Sequence, residues 1–418
     1  MYLFTVLPLP PTNFFRELET IFYKFIWSKK PDKIKRSVLL NKKCNGGLNM
    51  LDIECMAKSL QCKWVKLYFN DNQSPWKILF DFNLKKYGGK LLFESNFRKN
   101  DVTLNNKFIE GVCYAWSDFN FRPLNVENYW NESVLNNSYI KIDNKLIYSK
   151  ILHAKSAHYV KNFFDNNGNA LQYINFISKF DISNEFPFTF YYGILSAIPH
   201  SWRLNIKPNP GLADNYSRLI SYTSCNRPTK KAYDYFIMAK LQTPIAIQKW
   251  ERNTDANYNW SRIFNLPFLA VREAKLQYFQ FRFIHRLVAT NVFLHKIKCS
   301  DSPLCTFCGD EPETLEHLFW SCASSTHFWQ SAVFLCLKNP PIMDWELVKF
   351  GCVDDLRHPL NFFLLHAKYF IFSCKLDNTK PNAIVFHKKL RFLINVEIYI
   401  ACKSNDDERS KSFEDTFL

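Results

Sequence analysis

Four potential metal ligands lie within eighteen residues of this chain: Cys305, Cys308, His317 and Cys322, spaced C-x2-C-x8-H-x4-C. Three thiolates and one imidazole can complete a tetrahedral shell around zinc, and two residues between the first two cysteines is the usual spacing of a zinc knuckle. The sequence therefore predicts a structural zinc site. Because four protein ligands leave no open coordination position, it predicts no hydrolytic chemistry at this zinc.

The residues between these ligands indicate a local structure. Asp310 and Glu313 form a D-x-x-E signal for the start of a helix. The stretch after them, residues 314–320, is predicted to be a short helix that carries His317. Cys322 would follow the end of this helix, where the chain can turn back towards the first two cysteines.

Two other interpretations fit the same residues. Thirteen cysteines in one chain can cluster by chance, and a free cysteine is often a small buried hydrophobic residue. His327, five residues after Cys322, could also supply the imidazole in place of His317. The spacing favours zinc, with the C-x2-C-x8-H-x4-C residues as its ligands.

The composition favours a folded, mainly helical chain with a polyanionic partner. Hydrophobic residues make up 47% of the 418 residues and aromatic residues 17%, which argues against extensive disorder. Only ten glycines are present, which disfavours a long loop-rich architecture. The formal net charge of +16 attracts polyanions; nucleic acid is the commonest of these, although an acidic membrane surface would respond to the same field.

The chain is predicted to lie in a reducing compartment and outside the membrane. No run of eighteen uninterrupted apolar residues is present, so no membrane-spanning helix is predicted. The apolar residues 1–9 have no basic region and run into an amphipathic segment, which is atypical of a cleaved signal peptide. We therefore expect a cytoplasmic or nuclear protein that is not secreted and has no membrane partner.

Two groups of basic residues are candidates for contact with nucleic acid. Apolar residues at three- and four-residue intervals predict a helix over residues 12–27. The basic run after it contains Lys29, Lys30, Lys33, Lys35 and Arg36. A second basic edge, Arg282 and Arg286, lies on a helix predicted over residues 272–288. Each group can be an ordinary solvated surface; the functional alternative is contact with phosphates.

Short β elements and further helices are predicted in the first half of the chain. Residues 38–40 and 48–50 could pair as a hairpin across a glycine-containing turn. Residues 143–144, Asp-Asn, lie between two short alternating runs and predict a tight hairpin. Residues 186–192 indicate a strand or a buried apolar run, and Asp52 is placed to cap a second helix.

The order of several segments resembles one known family. These segments are P-L-P-P-T-N-F-F-R-E-L-E at residues 8–19, F-I-W-S-K-K at 25–30, G-G-L-N-M-L-D at 46–52, Y-W-N-E around Trp130, A-I-P-H-S-W at 197–202, F-R-F-I-H-R-L-V at 281–288 and F-L-H-K-I at 293–297. Together with the cysteine cluster, they resemble the part of LINE-type (non-LTR) retrotransposon reverse transcriptases that follows the polymerase core. The resemblance covers essentially the whole chain.

This resemblance implies the C-terminal portion of a larger polyprotein, in which an endonuclease and a polymerase come first. It implies three parts: a thumb-like segment over residues 1–69, a connecting region with small β elements over 70–265, and a C-terminal helical domain with a CCHC zinc-binding motif over 266–418. The implied partners are RNA, DNA and the missing upstream polymerase region.

No catalytic residue is assigned to the chain. The family's polymerase holds magnesium with an aromatic-x-Asp-Asp box, and the only comparable string is C-V-D-D at residues 352–355. This string follows the cysteine cluster, whereas the palm should precede the thumb, and a cysteine occupies the aromatic position. It is instead predicted to be a polar turn before an apolar run at 360–372. A restriction-like nuclease, which some relatives carry beyond the cysteine cluster, would need a Pro-Asp pair followed by a second acid and a lysine, and residues 323–418 contain no such set.

The sequence thus predicts a mainly α chain with small β hairpins (α+β) and a C-terminal zinc-knuckle-like segment. Its end is predicted as two apolar helices, about 360–375 and 384–402, followed by a frayed polar tail from Lys403. The predicted activity is non-catalytic: binding of zinc and of template RNA or target DNA. The alternative is a structural or protein-interaction module from a decayed or repurposed retroelement, without nucleic-acid binding.

Overall fold

The chain is mainly α-helical, as the sequence predicts. The structure is a computed structural model. It describes residues 3–122, 129–182, 186–204, 218–252 and 257–417. Within these ranges, helices make up most of the secondary structure and the one sheet has two strands. No helix in the described part of the chain is long and apolar enough to cross a membrane.

The described helices of the first half are α1 (Leu3–Val6), α2 (Thr12–Ile26), α3 (Arg36–Leu39), α4 (Ile53–Phe69), α5 (Pro75–Leu84), α6 (Leu91–Glu94), α7 (Lys107–Asn120), α8 (Lys150–Ala154), α9 (Tyr173–Lys179), α10 (Phe188–Ala197), α11 (His200–Leu204) and α12 (Arg218–Thr223). Those that follow are α13 (Pro228–Met238), α14 (Ile245–Glu251), α15 (Trp260–Ala270), α16 (Ala274–Ile284), α17 (Asn291–Lys296), α18 (Ala323–Cys336), α19 (Trp345–Phe350), α20 (Pro359–Leu376), α21 (Ala383–Lys403) and α22 (Asp407–Phe417). The strands are β1 (Lys141–Ile142) and β2 (Lys145–Leu146), and a π-helical turn covers His317–Ser321. Single turns of 3-10 helix cover Lys43–Asn45, Lys85–Tyr87, Lys99–Asp101, Tyr129–Asn131 and Val160–Phe163.

The structure divides into two compact units, and the first comprises Met1–Lys29 and Leu51–Lys240. Its central helix, α4, packs against α7 and α13. Asp52 caps α4 as predicted, because its Oδ1 accepts a hydrogen bond from the backbone N of Cys55 at 2.8 Å. Buried aromatic and aliphatic side chains of these helices form a continuous core.

The hairpin predicted around Asp143 and Asn144 is confirmed. Residues 141–142 pair antiparallel with residues 145–146. Asp143 and Asn144 both adopt positive φ, 50° and 59°, as a two-residue turn of this kind requires. For residues 186–192 the predicted strand is wrong, since most of this run lies in helix α10. The apolar pattern of a short run does not distinguish a strand from a buried helix.

The second unit comprises Lys30–Met50 and Leu241–Leu418. Helices α16, α18, α20 and α21 contribute to one large apolar core. The rings of Phe283 and Phe319 are fully buried in it, with centroids 5.1 Å apart. The apolar stripe predicted over residues 272–288 is confirmed as the buried side of α16.

A return loop replaces the hairpin predicted between residues 38–40 and 48–50, so that prediction is wrong. The first of these segments overlaps helix α3. The carbonyl of Leu39 accepts hydrogen bonds from Leu48 N at 3.1 Å and from Met50 N at 3.2 Å. Two donors that converge on one carbonyl close a loop against a helix end, which differs from the alternating ladder of a strand pair.

The C-terminal end forms a helix in place of the predicted frayed tail. Phe413 of α22 is 1% exposed and anchors this helix in the core. Arg409 Nη2 lies 3.1 Å from Glu397 Oε2 on α21. One aromatic anchor and one ion pair therefore order a segment whose sequence is mostly polar.

The division into two units does not test the three-part organisation that the resemblance implies. Those parts, with boundaries after residues 69 and 265, describe an expected place in a polyprotein, and they stay a prediction. The two units are defined by contacts within the chain, and the short basic segment Lys30–Met50 groups with the C-terminal residues.

Candidate metal centre

A short hairpin holds the first two cysteines of the cluster. Cys305 N donates to Glu311 O at 2.8 Å, and Gly309 N donates to Cys305 O at 2.9 Å. Gly309 has φ +76° and open space where a Cβ would stand, so the turn uses the left-handed conformation that glycine adopts most readily. This turn brings Cys308 back beside Cys305.

The other two residues of the cluster come from the beginning of the π-helical turn and the residue after its end. Thr314 Oγ1 accepts a hydrogen bond from His317 N at 3.0 Å. Thr314 therefore caps this turn, and the predicted D-x-x-E cap is wrong. Cys322 N donates to His317 O at 2.9 Å, which places Cys322 just past the helix end, as predicted.

The four side chains converge on one point. Their ligand atoms all lie within 4.8 Å of one another. Cys305 Sγ lies 3.8 Å from Cys322 Sγ, and Cys308 Sγ lies 3.3 Å from His317 Nε2. In a tetrahedral site, two sulfurs bound to zinc lie about 3.8 Å apart and a sulfur and a nitrogen about 3.5 Å apart. The donor set and its spacing therefore fit zinc.

Backbone N–H groups face the sulfur atoms of the hairpin. Phe307 N donates to Cys305 Sγ at 3.4 Å, yet burial raises the pKa of the Cys305 thiol to about 12. Burial also opposes ionisation of Cys308, but hydrogen bonds from the backbone of Glu311 and Asp310 outweigh it and lower the pKa of this thiol to about 6. Cys308 is thus prepared to act as a thiolate, whereas zinc must displace the proton of Cys305.

Glu311 orients the imidazole of His317. The Nδ1 atom of His317 lies 3.0 Å from Oε2 of Glu311 and 3.5 Å from Oγ of Ser321. A carboxylate that accepts a hydrogen bond from Nδ1–H keeps the proton on Nδ1 and leaves the lone pair on Nε2, which is the atom that faces Cys308. This arrangement selects the tautomer that a metal requires.

A buried ion pair lies against the same hairpin, and sequence reasoning missed it. Glu313 is fully buried and pairs with Lys375 of α20. Glu313 Oε2 also accepts hydrogen bonds from Thr306 N at 2.9 Å and Thr306 Oγ1 at 2.8 Å, and Oε1 accepts one from Asn291 N at 2.9 Å. The two charges are 62 residues apart in sequence, so no local pattern relates them.

His327, the alternative imidazole, lies elsewhere. It belongs to α18 and lines a cavity of about 380 Å³ beside residues 381–384. Among the described residues, the cluster of ligand atoms includes His317 and excludes His327.

Part of the predicted basic run lies beside Arg282. Partial desolvation of the Lys33 ammonium lowers its pKa, and the neighbouring charges of Arg282 and Lys30 lower it further. Lys30 and Lys33 are exposed, and Arg282 is half-buried. Residues about 250 positions apart in sequence therefore create one local concentration of positive charge, which the sequence showed only as two separate groups.

The remaining basic candidates have different surroundings. Lys35 is exposed, and Arg36 Nε lies 2.7 Å from Asp32 Oδ2. Lys29 is exposed, adopts φ +64° and belongs to the first unit. Arg36 therefore carries a compensated charge, whereas Lys35 and Lys29 present theirs to solvent.

Arg286 and His285 follow the end of α16, which is shorter than the predicted helix over residues 272–288, and Arg286 is exposed. Arg286 Cζ lies 4.7 Å from the ring centroid of Trp250, its Nη1 donates to Lys249 O at 3.3 Å, and partial desolvation lowers its pKa. His285 Nε2 lies 2.9 Å from Gly46 O, and burial lowers the pKa of this imidazole to about 4. His285 is therefore a neutral, packed residue.

The acidic string C-V-D-D forms a turn, as predicted. The side chains of Arg262 and Asn361 hydrogen-bond to backbone atoms of residues 352–355. Helix α20 begins four residues later, at Pro359. The backbone contacts define a connection between helices.

Residues 230–329 match a family model described as zinc-binding in reverse transcriptase. The matched range contains all four residues of the cluster, helix α16 with Arg282, and Arg286, which lies two residues after the end of this helix. The match and the cluster together support a reverse-transcriptase-associated, zinc-binding region. This region is an accessory zinc-binding domain and is distinct from a polymerase palm.

Proposed function

We propose that this chain is a non-catalytic C-terminal fragment of a LINE-type retrotransposon reverse transcriptase that binds template RNA or target DNA. In this proposal Cys305, Cys308, His317 and Cys322 hold a structural zinc ion. The metal closes the hairpin and fixes it against the helical core, and the chain's own cations contact phosphates. The missing upstream polymerase region is a second partner.

One observation carries the nucleic-acid proposal. The pKa of Lys33 is lowered first by partial burial and further by the charges of Arg282 and Lys30, so these three cations lie close together, and they belong to the same unit as the metal cluster. Like charges repel, so a surface that gathers them gains free energy when phosphates approach and counterions are released. The match to a zinc-binding region of reverse transcriptases supports nucleic acid as the polyanion that contacts this surface.

The test measures binding to a labelled single-stranded oligonucleotide as a function of salt concentration. Replacing Lys30, Lys33 and Lys35 by Gln should weaken binding at low salt and reduce the slope of log K against log salt by about 2, since each phosphate contact on a single strand contributes about 0.7. A matched control replaces three other exposed lysines of the same unit, Lys380, Lys388 and Lys411.

The control variant removes the same net charge, so it separates a local contact from a general loss of attraction. We expect it to retain most of the affinity and the slope. Equal behaviour of the two triple variants would mean that the surface around Lys33 makes no specific phosphate contact. Binding that is independent of salt, or absent, would contradict the proposal as a whole.

A second candidate function, a protein-interaction module without nucleic-acid binding, is favoured by the apolar surface of α2. Phe25 is 84% exposed, Ile21 64% and Phe22 47%. Exposed aromatic and aliphatic side chains in a row typically mark a contact with another protein surface. This alternative predicts that the chain aggregates alone, stays soluble with the upstream region, and shows no salt-dependent binding to nucleic acid.

A further inference from the structure

A cavity of about 210 Å³ opens between α16, α20 and α21 in the second unit. Leu276 of α16, Tyr369 of α20 and Leu390 of α21 contribute apolar walls. Glu273, His366 and Lys389 contribute polar groups to the same lining. The volume is below the range of about 300–1,000 Å³ typical of pockets for drug-sized ligands, so a ligand that fits here is small.

Two buried polar atoms at this cavity lack hydrogen-bond partners among the described residues: Nε2 of His366 and Oε2 of Glu273. They belong to neighbouring side chains, since His366 Nε2 lies 3.7 Å from Glu273 Oε1, too far for a hydrogen bond. Buried polar groups without partners are rare and each costs free energy. A ligand with both donors and an acceptor would satisfy them.

The surroundings of His366 define the charge state of its imidazole. Burial lowers the pKa of His366 to about 3, and the nearby ammonium groups of Lys389 and Lys275 add to this effect. The imidazole is therefore neutral and has one N–H and one lone pair. Glu273 is the carboxylate among the polar groups that line the cavity, and its two oxygens can accept two parallel hydrogen bonds.

Cations surround the entrance to the cavity. Lys275 and Lys389 line it and are exposed, and Lys275 Nζ lies 4.7 Å from the ring centroid of Tyr369. An apolar slot with an aromatic wall, a polar end and two flanking ammonium groups matches the parts of a nucleotide: a flat base with polar edges, and a phosphate.

Helix α16 links this cavity to the basic surface around Lys33. Lys275, Tyr278 and Arg282 are three and four residues apart, so they share one face of the helix. Arg282 Cζ lies 5.8 Å from the ring centroid of Tyr278. Seven residues of helix span about 10 Å, a distance that a few nucleotides of one strand cover. A strand held at Arg282 can therefore reach the cavity.

We propose that this cavity takes one unpaired guanine base of the bound strand, an inference that rests on the proposed function. Guanine has two adjacent donors, N1–H and the N2 amino group, which match the two oxygens of Glu273. Its O6 acceptor lies beside them and faces the imidazole of His366. Adenine, cytosine and uracil each offer a carboxylate only one donor group on this edge, so guanine is the base that satisfies the buried imidazole of His366 and both oxygens of the partly exposed Glu273.

The experiment compares labelled single-stranded oligonucleotides of equal length that carry one guanine, inosine, adenine or cytosine in a uridine background. Inosine lacks the amino group and removes one of the two donors. We expect inosine, adenine and cytosine to bind about tenfold more weakly than guanine, the scale of one bidentate contact to a base. The salt dependence should be the same for all four, because their phosphates are identical.

Two variants and a control localise the effect. E273Q should abolish the preference for guanine, and K275Q should weaken binding of all four oligonucleotides equally. K388Q, an exposed lysine next to Lys389 on the same helix, should change neither. Competition by free guanosine monophosphate, but not adenosine monophosphate, would support the pocket with the base as the recognised group.

The outcomes separate this inference from the proposed function. Equal affinity for all four oligonucleotides, with a normal salt dependence, overturns the guanine pocket and leaves nucleic-acid binding intact. Absence of salt-dependent binding to any of them overturns the proposed function itself. If E273Q fails to fold, as melting would show, the comparison of guanine with inosine on the unaltered protein still decides the question.

Discussion

The carboxylate of Glu313 and the ammonium of Lys375 form a buried ion pair that joins the cysteine hairpin to helix α20. Lys375 Nζ also donates to Asn291 Oδ1 at 2.9 Å, and Glu313 accepts hydrogen bonds from Thr306, which lies between the two hairpin cysteines. The pair is therefore surrounded by partners on both sides. Zinc and this ion pair hold the same hairpin through different residues.

We predict that breaking this pair destabilises the second unit strongly. E313Q should lower the free energy of unfolding by about 3–5 kcal/mol, because Lys375 would keep a buried charge without its counter-ion. Joining E313Q to K375M should recover part of the loss. Urea unfolding with zinc present measures both effects. As a control, D181N removes the ion pair between Lys155 and the exposed carboxylate of Asp181 and should lower the free energy of unfolding by less than about 1 kcal/mol. An equally small effect of E313Q would show that the Glu313–Lys375 pair does not hold the hairpin.

We predict that the cysteine cluster binds one zinc ion whose removal loosens the hairpin. Serine at Cys305 and Cys308 should abolish stoichiometric zinc and lower the melting temperature, since closing such a site is worth about 10–16 kcal/mol of apparent binding free energy. Metal analysis of the purified chain and a thermal scan provide the readouts. C299S changes an exposed cysteine outside the cluster and should retain both properties. Unchanged zinc content in the double variant would remove the metal assignment.

We predict that Glu311 tunes the affinity for zinc without being a ligand. E311Q should weaken zinc binding by about 10- to 100-fold, because the imidazole of His317 loses the carboxylate that fixes its tautomer. The backbone contacts of residue 311 to the hairpin are kept in this variant. Competition with a chromogenic chelator measures the affinity, and E316Q, which changes an exposed acid on the following helix, is the matched control. Identical affinities for the two variants would show that the contact at Nδ1 is incidental.

The features that sequence reasoning found depend on residues close together in the chain. The cluster spacing, the cap at Asp52 and the hairpin at Asp143 each need only a few consecutive residues, and their geometry follows from local chemistry. The helix over residues 12–27 was equally accessible, since apolar periodicity is a local signal and the structure has α2 there.

The features that it missed depend on contacts between distant residues. The local D-x-x-E spacing predicts a helix cap for Glu313, and nothing in that spacing indicates its partner Lys375, which lies on another helix. The polar tail after Lys403 was assigned as frayed because its pattern is weak, yet Phe413 anchors it in a core built elsewhere. The neighbourhood of Lys33 and Arg282 likewise exists only once the chain has folded.

Lys368 provides a test of the core that depends on pH. This lysine is 1% exposed, its Nζ donates to Gln280 Oε1 at 2.8 Å, and it lies 4.9 Å from the ring centroid of Phe283. Burial beside a neutral amide and an aromatic ring lowers the pKa of Lys368 from 10.5 to about 7. Between these two values the unfolded chain binds more protons at this site than the folded chain does.

Stability should therefore rise with pH from about 7 to about 10, by up to about 1.4 kcal/mol per pH unit from this group, because the folded state no longer carries a buried charge. K368M, which keeps the length of the side chain and removes the charge, should be more stable than the unaltered chain at pH 7 and should lose this rise. Urea midpoints at several pH values, compared between the two proteins, isolate the contribution of Lys368 from other titrating groups. K388M, which alters an exposed lysine, should follow the unaltered chain. If the curves of K368M and the unaltered chain run parallel, Lys368 keeps an ordinary pKa, and water or a local opening must solvate its ammonium in the folded state.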